Sequence, residues 1–542
     1  MTRAWGGATV RLAALAALLG AEALVTTILV DGATPVPRGA WLTLFVHQWG
    51  ARVARGLIAF SVLFATFAYV RFPGAWARIW AEAAKVPVRW VLLGAHAALM
   101  ALFALLTAGV YGTGLTAALS NWCTAAWIGI AVAAVACGAL ACLPWTCWES
   151  LVRGTGWLWA WSAAAAVAAG SGDAFFRSLW QPTSKVTFSL VSLMLRPFFG
   201  DIVADTNAMR IGTQRFHVII TRQCSGLEGI ALLLVFGVIF LIVFRDELRM
   251  PRALAILPAG VVILYLLNAV RITALIAIGN AGAEAIAVGG FHSQAGWLAF
   301  NSVAFGLCLA ARHVPWIAAT PNRAQPQAYA ESDGTAAYLV PFLSILAVGM
   351  ISRAASGAFE WLYPLRLVAA GWALWAFRKH YAGLDWRPGW VAVAAGVVVA
   401  GLWVALDLVA GSNHGDSPMP AALAAAPAGL RLGWIAFRAA GAAITVPIAE
   451  ELAFRGYLMR RVISTDFEAV PLRTFNWPAV VASSVIFGLM HGDRWPAGIV
   501  AGLIFTLVIT RRGRIGDAVI AHAVSNVILT ALVLGFSQWR YW

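Results

Sequence analysis

The chain has 542 residues, 61% hydrophobic and 11% charged, with a mean hydropathy of +0.80. Soluble globular chains carry roughly 25% charged residues, so this composition excludes a soluble domain and points to a polytopic membrane protein. The net charge of +15 is not a nucleic-acid footprint: the basic residues sit in short clusters between apolar runs, as the positive-inside rule expects, and no basic stripe with interleaved aromatics lies in a polar segment.

Taken in chain order at membrane-spanning length, the first apolar runs fall at 12–30, 57–72, 90–109, 124–144, 155–170, 228–244, 253–279 and 295–311. A second set falls at 337–352, 361–377, 389–410, 433–458, 479–490, 497–510 and 516–537. The first run, behind Arg3 and Arg11, reads as a signal anchor that is retained. Between the sets, 312–336 carries three prolines and no apolar periodicity. The expected fold class is therefore an all-α polytopic membrane protein of about 15 transmembrane helices. These form two helical-bundle domains, 1–312 and 337–542, joined by a linker at 313–336. The polar stretch 171–223, with the alternating RFHVIIT, suits a small β-rich outer cap, a plain ectodomain loop being the alternative.

Basic clusters at Arg71, Arg78, Lys85 and Arg89, at Arg245, Arg249 and Arg252, and at Arg511, Arg512 and Arg514 orient the chain. If they are cytoplasmic, the N-terminus is inside, and 171–223 and 280–294 face outside. The six cysteines form no C-x-x-C pair, which argues against a disulfide framework or a thiolate zinc site. His47, His96, His217, His313, His380 and His414 have no partner at a telling spacing.

That topology brings Cys224, in TRQCSGLEG, to the outer side together with Arg271, in NAVRITAL, and His292, in FHSQAGW. An arginine in an apolar span costs roughly 2.5–3.5 kcal/mol on insertion scales. The structural explanation is that Arg271 snorkels or pairs with Glu228. The chemical one is a nucleophilic site. Cys224, beside Arg222 and a helix start, suits a thiolate nucleophile. His292 suits a general base and then acid, and Arg271 suits the oxyanion of a tetrahedral intermediate. The product is a thioester acyl-enzyme open to an acceptor.

These three motifs resemble those of the exosortases, polytopic bacterial transpeptidases unrelated in fold to soluble sortases. The resemblance covers about 1–312 and places the family's catalytic Cys, Arg and His on Cys224, Arg271 and His292. It implies partners anchored in the bilayer by a C-terminal sorting signal (short motif, transmembrane helix, basic cluster), an acceptor nucleophile that the residues do not identify, and no nucleic acid.

The second set carries PIAEELAFRGYLMRR. Glu451 and Arg455, at i,i+4, pair on one helical face, and Glu450 points about 100° away. His491 follows in FGLMHG, then His522 and Asn526 in HAVSN. Two functional readings compete. In one, Glu450, His491 and His522 bind a divalent metal such as zinc that activates water. In the other, Glu450 is itself the base for water, assisted by His491, while His522 and Asn526 donate to the oxyanion. A polar network that merely holds helices together is the structural alternative.

The motifs EExxxR, FxxxH and HxxxN resemble the CPBP family of intramembrane (CAAX-type) proteases over about 337–542. The resemblance implies that Glu450, His491, His522 and Asn526 are catalytic and that Glu451 and Arg455 shape the site. Helix counting sets His491 near the outer end of its span and Glu450 nearer the cytoplasmic half, a mismatch that a deep cavity, a tilted helix or a break at GDRWP would each reconcile. The two units in one chain resemble the exosortase E/protease type, which implies substrates with a VPEID-like C-terminal signal and a place in the bacterial inner membrane. The competing class is a transporter or a non-catalytic assembly or immunity factor. No paired repeat with matched broken helices supports transport.

Overall fold

The computed structural model describes residues 36–72, 78–79, 81–83, 85–111, 116–221, 224, 226–319, 334–357, 359–409 and 419–542, with 11, 15, 18, 19 and 22. Among them, nine helices are long and apolar enough to cross a membrane, and the shorter apolar helices Leu227–Val243 and Trp477–Leu489 accompany them. The chain is an all-α multi-pass membrane protein. The expected span 12–30 lies almost wholly outside the described residues, whereas 57–72, 155–170 and 361–377 fall largely within helices. Large apolar side chains such as Leu105, Val132, Trp161 and Val397 face outward, as lipid allows. The backbone meets its own hydrogen bonds within helices, as a bilayer requires.

The chain divides into two compact units, Met1–Ser178 and Leu179–Trp542. The first holds helices α1 (Trp41–Arg71), α2 (Trp90–Val110), α3 (Ala117–Cys142) and α4 (Trp145–Thr155) and the start of α5 (Leu158–Leu195). Its helices are joined by buried polar contacts. Thr43 Oγ1 meets Ser120 Oγ and Thr124 Oγ1, each at 2.8 Å. His96, expected to lack a partner, is held by the Ala134 carbonyl at 2.8 Å and by Glu22 Oε1 at 2.9 Å. Glu22 lies 74 residues away in sequence, beyond any local spacing rule.

The second unit begins in α5, which continues as helix to Leu195, so much of the polar stretch expected as loop is helical. The β-rich cap reduces to one antiparallel sheet of β1 (Ile202–Asp205), β2 (Arg210–Thr213) and β3 (His217–Ile219). In the β1–β2 turn, Asp205 Oδ1 accepts from the amides of Asn207 at 2.9 Å and Ala208 at 3.1 Å. Those two bonds hold its carboxyl below the usual range. Ile211 and Ile220 bury against Phe188, Val191 and Leu195 of α5 and Ile272 and Ile276 of α7 (Ile256–Asn280). Thr213 Oγ1 donates to Asn280 Oδ1 at 2.7 Å, tying the sheet to the end of α7.

Helix α6 (Leu227–Val243) packs on α7, and a π-helical turn, Ile286–Phe291, leads into α8 (His292–His313). The expected linker is described only at its ends. Residues 314–319 fold back on the basic loop: the Arg249 amide donates to the Ile317 carbonyl at 2.8 Å, and the Ala319 amide to Glu247 at 2.9 Å. Residues 320–333 lie outside the described residues.

The rest of the second unit comprises α9 (Thr335–Ala354), α10 (Pro364–Ala376), α11 (Trp390–Val409), α12 (Ala428–Ala440), α13 (Val446–Glu451), α14 (Met459–Ile463), α15 (Trp477–Leu489), α16 (Trp495–Arg512) and α17 (Ile515–Phe536). Two π-helical turns, Gly441–Thr445 and Leu452–Leu458, interrupt the span from α12 to α14. Tyr338, Phe342, Leu452, Phe454, Phe487, Phe505 and Ile509 form its core. The turn before α8 packs directly on the end of α9, where the Gly290 amide donates to the Ser356 carbonyl at 3.2 Å. A Cβ at Gly290 would overlap the carbonyl oxygens of Arg353 and Ser356, so the approach requires glycine.

Candidate active sites

The first site forms where α6 begins. Gly226, at φ +73, turns the chain into α6, and its lack of a Cβ admits the Asn268 side chain of α7. Asn268 Nδ2 donates to the Cys224 carbonyl at 2.8 Å, while its Oδ1 accepts from Arg271 Nη1 at 3.3 Å. Arg271 Nη2 in turn meets His292 Nδ1 at 3.2 Å and the His292 carbonyl. Cys224, Arg271 and His292 are thus linked through one asparagine, and the Cys224 Sγ lies 3.6 Å from Thr221 Oγ1. An arginine nitrogen only donates, so His292 Nδ1 accepts and the ring is a neutral tautomer with its proton on Nε2.

A cavity of about 170 Å³ adjoins this group, lined by Glu228, Asn268, Arg271, Ser293, Trp297 and Phe300 among others. Neither Cys224 nor His292 is among its lining residues. Exposed Glu228 stands on the cavity wall, and the hydrogen bonds of Arg271 go to Asn268 and His292. Arg222 lies outside the described residues.

The second site lies where the span from α12 to α14 is widened by its π-helical turns, a feature common at functional sites. Glu451 and Arg455 are fully buried and pair at 3.0 Å. Arg455 also donates to the Gly502 carbonyl at 3.0 Å and lies 4.4 Å from the Phe487 ring centre. Glu451 Oε1 takes a second bond, from His522 Nδ1 at 3.0 Å. A carboxylate accepts, so the proton sits on Nδ1, and Nε2 faces Glu450 Oε2 at 4.0 Å, too long for a direct hydrogen bond.

Both glutamates therefore address one histidine, although helical geometry suggested that they diverge. His522 is not a free oxyanion donor in this state, since its Nε2 carries no proton while the ring is neutral. Asn526 Nδ2 donates to the Ala442 carbonyl at 2.9 Å, which leaves one of its two hydrogens for another partner.

His491 joins this group because α15 stops at Leu489 and a short turn, Gly492–Arg494, follows. The break falls at GDRWP, and His491 and Glu450 line one cavity. His491 Nδ1 contacts the Phe487 carbonyl at 2.8 Å, and its ring packs on Trp403 and Phe487. A cavity of about 260 Å³ is lined by Glu450, His491, His522 and Asn526, with Arg438 and Arg494. Among the described residues no three His, Cys, Asp or Glu side chains converge closely enough to hold a metal ion. The donor set Glu450, His491 and His522 thus does not fit a metal in this arrangement.

Residues 62–309 match the transmembrane exosortase family of the EpsH type. Residues 433–528 match the Rce1-like type II CAAX prenyl endopeptidases. The chain joins an exosortase domain to a CAAX-endopeptidase domain. No curated protein and no solved structure matches it. The protein is a membrane protease of the protein-sorting class, and its exosortase family implies processing of proteins with C-terminal sorting signals in a membrane.

The exosortase match spans Cys224, Arg271 and His292, and the CAAX-endopeptidase match spans Glu450 to Asn526. Sequence reasoning missed Asn268 in the exosortase domain. Its signal was available: a polar residue one turn before Arg271 in an apolar span. It also missed Arg438, Trp403 and Arg494 around the second cavity, for which no local spacing exists.

Proposed function

We propose that the exosortase domain is a cysteine transpeptidase. The Asn268 bridge between Cys224 and the Arg271–His292 pair carries this reading. Substrate draws Arg271 from His292 Nδ1 to the scissile carbonyl oxygen, which frees the Nδ1 lone pair. Cys224 then attacks that carbonyl, its thiol proton passes to His292 Nδ1, and Arg271 stays on the oxyanion that forms. His292 then returns the proton to the departing amine as the C–N bond breaks. A thioester remains on Cys224 until an acceptor nucleophile displaces it.

In the CAAX-endopeptidase domain, Glu450 is the base for water, assisted by His491. Glu451 holds His522 so that, once protonated, its Nε2 hydrogen is aimed towards the Glu450 side of the cavity. Asn526 supplies a further donor through its remaining hydrogen. The substrates are proteins anchored by a C-terminal helix and basic cluster, with a VPEID-like motif.

The proposed location is the bacterial inner membrane, from the exosortase match, with the N-terminus cytoplasmic, from the basic loops. Cys224 and Asn268 sit at the end of α6 opposite Arg245, and Arg494 sits at the end of α16 opposite Arg511 and Arg512. An 18-residue helix such as α16 is about 27 Å long, so Arg494 lies a helix length from Arg511 and Arg512. By the positive-inside rule those loops are cytoplasmic.

The test is intact-mass analysis of a signal-bearing substrate from cells carrying wild type, Cys224→Ala or Glu450→Gln. Cys224→Ala is expected to leave the sorting signal attached, and Glu450→Gln to remove one further cleavage. Unchanged, fully processed substrate in the Cys224→Ala cells defeats the transpeptidase assignment.

A further inference from the structure

The second cavity is walled on one side by a segment that the reaction does not use. After α17, Ser537 takes a left-handed conformation and the chain turns back as the short helix Trp539–Tyr541, so that Tyr541 and Trp542 line the cavity with Glu450, His491, His522 and Asn526. Side-chain and ring contacts hold this strap. Arg438 Nη2 donates to the Trp542 main-chain oxygen at 3.0 Å, and the Arg438 guanidinium lies 4.2 Å from the Tyr363 ring centre. The Trp542 ring packs on Trp434 and Trp539, and its Nε1 donates to Thr530 Oγ1 at 3.4 Å. Arg540 and Arg494 flank the buried Asp407 at 3.5 and 2.8 Å.

A stretch of polypeptide is thus already bound at the mouth of a candidate peptidase cavity, by its main-chain oxygen and one aromatic side chain. These are the features by which a site receives a peptide of any origin. Arg438 comes from α12, directly before the π-helical turn Gly441–Thr445 whose Ala442 carbonyl takes Asn526. A ligand oxygen at Arg438 is therefore in register with the candidate catalytic group. We propose that Arg438 is the residue that receives a main-chain oxygen of the peptide substrate, carbonyl or carboxylate, and that the strap Gln538–Trp542 holds that position until substrate displaces it. The substrate is then a peptide with a large apolar or aromatic side chain at this position, seated against Trp434. This rests on the peptidase reading of the second cavity.

The experiment uses the full chain in nanodiscs and a fluorescent peptide of residues 537–542, Ser-Gln-Trp-Arg-Tyr-Trp, as free acid or amide. Trp542→Ala removes the ring that anchors the strap against Trp434 and Thr530, so the main-chain oxygen that stays at 542 is held less tightly and the peptide is expected to bind that variant more tightly than wild type. Adding Arg438→Gln to Trp542→Ala is expected to weaken binding about ten- to a hundredfold, the loss of one charge-assisted hydrogen bond. A preference for the acid identifies a carboxylate and equal binding of acid and amide a carbonyl, and either supports the proposal while binding depends on Arg438.

If Arg438 only fastens the strap, the single and double variants bind the peptide equally, and the proposal is overturned. Failure of the peptide to bind Trp542→Ala overturns it as well. Thr530→Val, which loosens the ring without removing it, replaces Trp542→Ala if the latter does not fold. Peptide binding that persists while wild type and Glu450→Gln both fail to cleave any substrate rejects the peptidase reading and leaves the Arg438 site standing.

Discussion

In the CAAX-endopeptidase domain the polar groups lie in mid-helix and close on one another, with Glu451 shared between Arg455 and His522 and a cavity before Glu450. In the exosortase domain they lie at a helix start, a helix interior and the end of a π-helical turn, and one amide side chain joins them. The difference teaches where each site's integrity resides. A buried ion pair must be complete or the fold suffers, because an unpaired charge in a low-dielectric interior is costly. A group linked by one neutral hydrogen-bonding side chain can lose its geometry while the helices remain packed.

The contrast is broken most forcefully at Arg455. Arg455→Met strands Glu451 and should lower stability by about 3–5 kcal/mol, read as thermal unfolding in detergent with loss of second-site cleavage. A normal melting curve would mean that the Glu451–Arg455 pair is no more demanding than the exosortase site. Asn268→Ala is the counterpart. It frees the Cys224 carbonyl and one Arg271 nitrogen, and first-site turnover should fall roughly ten- to a hundredfold from lost hydrogen bonds worth about 1–3 kcal/mol. Second-site cleavage should be unchanged, so a parallel fall in both activities would show that the two sites are not separately built.

Gly290→Ala sharpens the contrast from the other side. The added methyl meets the Arg353 and Ser356 carbonyls, so stability should drop by about 1–3 kcal/mol. First-site turnover should drop with it, since His292 is two residues on.

The smallest effect is expected outside the spans, at Asp385. Hydrogen bonds from the Arg387 side chain and amide, with the Arg387 and Arg514 charges, hold its carboxyl down to about 2. A depressed carboxyl contributes stability above its ordinary value of about 3.9 and loses it as pH falls through the folded value. The contacts of Asp385 with Arg387 and Arg514 should therefore loosen between about pH 4 and pH 2. A carboxyl NMR titration with its midpoint near 4 would show that these contacts do not form in solution.

Much of this architecture was legible because lipid leaves few choices: apolar runs of spanning length become helices, and a charge among them must meet a partner. Glu451 and Arg455 were readable as a pair, since one helical turn separates them. His522 as their third member was not, because its partner lies 71 residues away. The π-helical turns were hidden for another reason. The local residues of LAFRGYL would suit an ordinary helix equally well. The stretch 171–195 misled because it reads with 196–223 as one polar outer segment, whereas it is helical with Pro182 in its interior. Asn268 was legible in principle, yet an amide draws less notice than the arginine beside it.

The contact at Gly290 bears on how this molecule can be taken apart. The chain's proline-bearing connection looks like a natural place for a protease nick or a gene split, but the helical turn before His292 is mated to the end of α9 by main-chain groups. Severing the connection between residues 320 and 333 would therefore yield fragments that stay together through purification. Evolution, too, would find either half hard to discard without first building a new surface for the half that remained.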